Sequence, residues 1–125
     1  MARVFLDTYA LIEVMLSSES HREVSLGDGS TLMGNLAETY YVLRTQYSAE
    51  AAEKAYGIIS KLVVAVSAPT VRSAMVFREE FNKKNRRHAL SYADAIGYTY
   101  ARENGLDFVT GDDAFNGLDG VRFIK

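Results

Sequence analysis

The sequence predicts an α/β chain: a parallel sheet with helices on both sides. Three observations point there. Short apolar runs at 3–6, 62–66 and 107–110 lack a polar face and read as strands buried on both sides. Stretches with apolar residues at three- and four-residue steps separate these runs and read as helices. Each run also ends in residues that favour turns or helix starts: Asp7-Thr8, Ser67-Ala68-Pro69 and Gly111-Asp112-Asp113.

Taken in order, Arg3-Val4-Phe5-Leu6 is a strand that stops at Asp7, and Asp7-Thr8 opens a helix carrying Leu11, Ile12, Met15 and Leu16. The polar stretch 17–30, with Gly27-Asp28-Gly29, reads as a loop or broken helix. Leu36, Tyr40, Leu43 and Tyr47 mark one face of a helix from about Asn35. Ser48 caps a second, with Ala51, Ala55, Ile58 and Leu62. The run 62–66 is β-branched and uncharged, a second buried strand. Val71, Ala74, Phe77 and Phe81 mark a helix running into a basic segment. Ser91 starts another, with Ala93, Ile96, Gly97 and Tyr100 on one face and Asn104-Gly105 as its stop. Residues 107–110 form a third strand, followed by a short helical turn, and 121–124 a last, edge-like one.

A chain of 125 residues and 13.9 kDa is one domain's worth, and with no repeat or linker it reads as a single domain over 1–125. Surface scaling gives roughly 6,700 Å² exposed when folded against roughly 20,000 Å² unfolded, enough for a core without staples. A composition 48% hydrophobic and 24% charged, without biased tracts, excludes disordered and fibrous classes. The absence of cysteine excludes a disulfide framework, a zinc ribbon and a thiol nucleophile. No basic-then-apolar leader and no membrane-length apolar run occur, so a soluble, cytoplasmic protein with no membrane association is expected. Net charge is −2, which excludes a globally basic nucleic-acid coat. Locally the balance differs: 78–88 carries five Lys and Arg (78, 83, 84, 86, 87) against Glu79 and Glu80.

Four acids fall at comparable places. Asp7 and Asp112 follow strands, and Glu38 and Asp94 lie in the opening turns of helices beginning near Asn35 and Ser91. Each is explicable as a helix cap: Asp7 and Asp112 as N-caps, Asn35-x-x-Glu38 and Ser91-x-x-Asp94 as variants of the capping box. A functional reading requires that they converge at the carboxyl ends of the strands, where open α/β sheets bind ligands. Carboxylates about 5 Å apart repel by roughly 3 kcal/mol per pair at an effective dielectric of 20, so a convergent set needs a cation or raised pKa values. Oxygen-only ligation suits Mg²⁺ or Mn²⁺, and a chain with only His21 and His88 and no cysteine is a poor zinc site. No G-x-S-x-G elbow and no phosphate-binding G-x-x-x-x-G-K-[ST] loop is present.

Val4-Phe5-Leu6-Asp7-Thr8 and Asn35-Leu36-Ala37-Glu38 resemble two segments of the PIN-domain family. The run from Asp94 to Phe115 resembles its long signature: an Asp on a helix rich in small residues, then a strand ending in T-x-D-x-x-F. The resemblance covers most of the chain in order and spacing, and is most specific in the last third. It implies a three-layer α/β/α sandwich with a mostly parallel central sheet, and an endoribonuclease whose Asp7, Glu38, Asp94 and Asp112 bind Mg²⁺ or Mn²⁺ and drive hydrolysis of RNA phosphodiesters. Thr8 and Thr110 would be hydroxyls that orient carboxylates. A free-standing chain of this length looks like the toxin of a VapBC toxin–antitoxin pair, homodimeric and restrained by a small antitoxin protein.

On this reading Lys83, Lys84, Arg86 and Arg87 hold phosphates of the RNA substrate beside the acids; on the plain one they are a solvated helix end favoured by the dipole. Asp113 is left outside the ligand set. The main rival is an inactive PIN-like module that binds RNA or protein and uses its acids only as caps. A receiver-type signalling domain fits worse, since its acid pair belongs after the first strand and here Asp112-Asp113 comes late.

Overall fold

The computed structural model describes residues 3–125. Strands β1 (Val4–Leu6), β2 (Gly29–Ser30), β3 (Asp107–Thr110) and β4 (Val121–Phe123) form a sheet in the order β2-β1-β3-β4, and every pairing is parallel. Helices α1 (Thr8–Met15), α2 (Met33–Gln46), α3 (Ala49–Ile59), α4 (Ala68–Lys84) and α5 (Tyr92–Glu103) connect them.

The strands carry apolar side chains on both faces, and the two-residue period of a strand sorts these into two cores. Val4, Leu6 and Val109 pack with Ala10 and Leu11 of α1, Leu36 and Leu43 of α2, and Ala52, Ala55 and Ile59 of α3. Phe5 and Phe108 point the other way, into a core with Tyr98 and Ala101 of α5, Leu90 and Phe115, against which Phe77 and Phe81 of α4 also pack. The Phe5 and Phe108 rings stack, with centroids 5.4 Å apart. Helix α5 comes close enough that a Cβ on Gly97 would lie 3.0 Å from the Phe5 ring. The result is three layers, α/β/α, as expected.

Four sequence expectations are corrected. The run 62–66 is not a strand of the sheet: it makes one parallel bridge, Thr31 to Val63, with Thr31 N donating to Leu62 O (3.1 Å) and Val64 N to Thr31 O (2.9 Å). It lies at the sheet's open edge, where no further strand pairs it. The strand beside β1 is instead the two-residue β2, inside the stretch read as loop. Gly29 is needed there, since a Cβ would meet the Leu6 side chain at 2.8 Å. Helix α2 starts before Asn35, at Met33, with Leu32 as an N-cap that supplies no side-chain bond. Asn35 therefore does not cap, and Glu38 is no part of a capping box. On α5 the buried face is Ala95, Gly97, Tyr98 and Ala101, while Ala93 is exposed.

Elsewhere the local chemistry fixes the boundaries. Ser48 and Ser67 cap α3 and α4 by accepting from Ala51 N and Thr70 N. Gly105, at φ +66°, ends α5 in the left-handed conformation that glycine tolerates. Among the described residues no helix is long and apolar enough to cross a membrane.

Candidate functional site

The chain leaves β1 toward β2 on one side and returns as β3 on the other, so strand order reverses between β1 and β3. A crevice opens there beyond the carboxyl ends of the strands, the place where open α/β sheets take ligands. A cavity of about 620 Å³ occupies it, and Asp7, Glu38, Asp94 and Asp112 all line it, with Thr8, Ser91, Asp113 and Lys125. The four acids come from the ends of β1 and β3 and from helices α2 and α5, and meet although 105 positions separate the first from the last.

Three of them are also caps. Asp7 Oδ1 accepts from Ala10 N at 2.9 Å and starts α1. Asp94 completes a full capping box with Ser91: Ser91 N donates to Asp94 Oδ2 (3.0 Å) and Asp94 N to Ser91 Oγ (3.1 Å). Asp112 Oδ1 accepts from Ala114 N at 2.9 Å and starts the 3-10 turn 113–115. A cap uses one carboxylate oxygen, so capping and ligation are compatible. Glu38 differs. It is exposed, sits in the second turn of α2, and makes no side-chain hydrogen bond or ion pair among the described residues.

Electrostatics records the crowding. Burial pushes the Asp7 carboxyl from 3.8 up to about 7; bonds from the Thr110 hydroxyl and the Ala10 N–H oppose the rise, and the charges of Asp94 and Asp112 add to it. Burial likewise raises Asp94, against the Ser91 bonds, with Asp112 and Glu38 contributing. The cation that lines the cavity does not relieve this: Lys125 Nζ is paired with Asp113 Oδ1 at 2.5 Å, which holds Asp113 below the usual carboxylate range. As the side chains stand, no three acids or histidines among the described residues are placed to hold an ion. The donor set is all oxygen, shares one cavity, and has its most buried member driven toward protonation, chiefly by burial and in smaller part by its acidic neighbours. That chemistry fits a hard divalent cation such as Mg²⁺ or Mn²⁺.

The remaining sequence-predicted residues separate. The fully buried Thr110 hydroxyl accepts from Asp112 N at 3.0 Å and also lowers the pKa of Asp7, against the effect of burial. The Thr8 hydroxyl accepts from the Asn35 amide instead, at 3.2 Å, and makes no hydrogen bond to a carboxylate among the described residues. Lys83 and Lys84 end α4, Arg86 and Arg87 lie in a 3-10 turn at 86–88, and all four are exposed and outside the cavity lining.

Sequence reasoning missed Lys125, which no motif marks, and Gly111. A Cβ on Gly111 would meet the Tyr9 ring at 2.2 Å and Ile124 O at 2.6 Å, so only glycine lets the chain pass from Thr110 to Asp112 beneath Tyr9. The G-D pair after the strand was the available signal.

A model of the family described as PIN domain matches residues 4–121. No curated protein matches the sequence. Among solved structures, a toxin–antitoxin complex from Klebsiella pneumoniae is similar at 16% identity, over 95% of this chain and 95% of that one, with a TM-score of 0.72. The Mycobacterium tuberculosis toxin VapC20, described as cleaving the sarcin–ricin loop, is similar at 22% identity, over 96% of this chain and 99% of its own, with a TM-score of 0.68. At these identities the likeness is one of fold.

Proposed function

The chain belongs to the PIN-domain family, and from that premise we propose that it is a divalent-metal-dependent endoribonuclease, the toxin of a VapBC-type pair. The observation that carries the proposal is Glu38. The other acids have structural work as caps, whereas this one has none and still lines the cavity they share.

Asp7, Glu38, Asp94 and Asp112 would hold Mg²⁺ or Mn²⁺. When bound, such an ion lowers the pKa of a coordinated water and polarises the phosphodiester. The protein's own part is positioning. The Ala10 N–H holds the Asp7 carboxylate, and Thr110, through Asp112 N, fixes the turn that presents Asp112. The Ser91 backbone orients Asp94 through Oδ2 and leaves Oδ1 directed elsewhere. Lys83, Lys84, Arg86 and Arg87 supply an exposed cationic approach for the phosphates of an RNA strand.

The likeness to a toxin–antitoxin complex and to VapC20 supports an antitoxin protein as partner and RNA as substrate. Homodimerisation and a cytoplasmic setting go with that reading. The alternative, a non-catalytic RNA- or protein-binding module, is favoured only by the three caps and by the lack of a ready-made ligand cluster.

Glu38→Gln separates the two. It should leave the thermal melt of the metal-free protein within about 1 °C of the parent, since it removes no packing, and abolish Mn²⁺-dependent cleavage of single-stranded RNA. A parent that cleaves no RNA in Mg²⁺ or Mn²⁺, or a variant that cleaves like the parent, would overturn the proposal.

A further inference from the structure

One position along the chain from Ser91, which lines the acid cavity, stands a residue that neither the fold nor the proposed chemistry uses. Tyr92 is the first residue of α5, follows Ser91 of the cavity lining, and precedes Asp94 by two residues. It is 65% exposed. Its ring is not loose, because the Arg78 guanidinium lies 4.3 Å from the ring centroid. Arg78 is itself fixed: half-buried on α4, its Nε donates to Leu90 O at 3.0 Å. The Leu90 peptide is gripped a second time by Asn82, whose Oδ1 accepts from Leu90 N (2.8 Å) and whose Nδ2 donates to Leu90 O (3.2 Å). Leu90 is buried in the second core. A large exposed aromatic is thus held in place through an arginine, a buried peptide and an asparagine.

We propose that Tyr92, backed by Arg78, is a stacking platform for a nucleobase of the RNA strand next to the one being cleaved. The inference rests on the ribonuclease reading and adds a recognition site to it. A ring with a guanidinium on one side and solvent over most of its surface offers a π-face to a flat partner, and every nucleobase has one. Its neighbours suit a nucleic acid strand. The exposed cations 83, 84, 86 and 87 lie in the segment that Asn82 and Leu90 close, available to the backbone, and the acids that would face the reacting phosphate begin two residues after Tyr92. Fixing the ring in advance means that little side-chain freedom is lost when a base settles on it.

The chain contains no tryptophan, so Tyr92→Trp introduces a single indole reporter. In EDTA, where cleavage is suppressed, its emission should be quenched in a saturable way by oligoadenylate and left unchanged by a phosphodiester chain of abasic riboses of equal length. In parallel, Tyr92→Leu should weaken oligoadenylate binding about tenfold while leaving abasic binding alone, the loss expected of one stacked base. Matched circular dichroism melts of the three proteins show that the fold is kept. Equal quenching by both chains, no quenching by either, or parent-like oligoadenylate binding by Tyr92→Leu overturns the proposal. The ribonuclease reading stands or falls separately, on Mn²⁺-dependent cleavage by the parent: a protein that stacks bases and cleaves nothing refutes that reading alone, and one that cleaves without base-dependent quenching refutes this one alone.

Discussion

Asp7 is where capping, burial and repulsion meet in one side chain. Its carboxyl sits at about 7 in the folded chain against 3.8 otherwise. Between those values the folded protein keeps a proton that the unfolded chain has released, so this group's contribution favours folding at low pH and is lost as pH rises through about 7. The difference amounts to on the order of 4 kcal/mol, given 1.36 kcal/mol per pKa unit. Asparagine caps helices as well as aspartate does, so Asp7→Asn should keep α1 and remove the charge. We expect the variant to melt several degrees above the parent at pH 8 without divalent ions, with the gap closing near pH 4. Added Mn²⁺ should raise the parent's melting temperature at pH 8 and leave the variant's unchanged, because only the parent gains binding energy in the folded state. Melts by circular dichroism across this range decide it; a variant that melts lower at pH 8 would make the cap, and not the charge, the main role of Asp7.

At the scale of elements, what the sequence made legible follows from how completely each segment is buried or capped. Residues 107–110 are a central strand whose residues after Asp107 are all buried, and the apolar run alone marks it. Helix α5 is bracketed by a capping box and a left-handed glycine, and both ends were readable. Strand β2 was not, because two residues at an edge, one a glycine forced by Leu6, carry no period. Asn35 misled for a related reason. A capping residue type buried inside a helix looks like a cap until its partner is known, and that partner is Thr8, 27 positions away. All four acids were readable as caps, the structure keeps three of them in that role, and only the fold could show that they share a cavity with Glu38. The Ser91–Asp94 box gives a direct test of that dual use. Ser91→Ala removes the bond from Asp94 N to Ser91 Oγ and keeps the one from Ser91 N to Asp94 Oδ2. It should cost about 1 kcal/mol of stability, a fall of about 3–6 °C in melting temperature for a domain of this size. Cleavage should fall by less than tenfold, whereas Asp94→Asn should abolish it; equal losses in the two variants would mean that Asp94 acts on activity through the helix start alone.

Over the whole molecule the net charge of −2 conceals a separation of signs. The four cavity acids gather at the carboxyl ends of β1 and β3, and the densest run of cations ends α4 and continues through the 3-10 turn 86–88, a few residues before Ser91 of the cavity lining. A polyanion approaching the acids would be repelled at close range, so on the proposed ribonuclease reading the cations would supply the attraction along its backbone while a metal ion would neutralise the centre. Such attraction is counted in released counterions, and for a single strand each neutralised phosphate contributes about 0.7 to the slope of log affinity against log salt. Replacing Lys83, Lys84, Arg86 and Arg87 together by alanine removes side chains that are all exposed and pack against no core, so the fold should survive with its melting temperature within about 2 °C. The salt slope for single-stranded RNA should then flatten by about 0.7 for every one of the four that meets a phosphate, and KM for RNA should rise most steeply in low salt. Fluorescence anisotropy with a labelled oligonucleotide between 50 and 300 mM KCl reads the slope directly. An unchanged slope would return these residues to the role of a solvated helix end and move the strand's path to some other face of the cavity mouth.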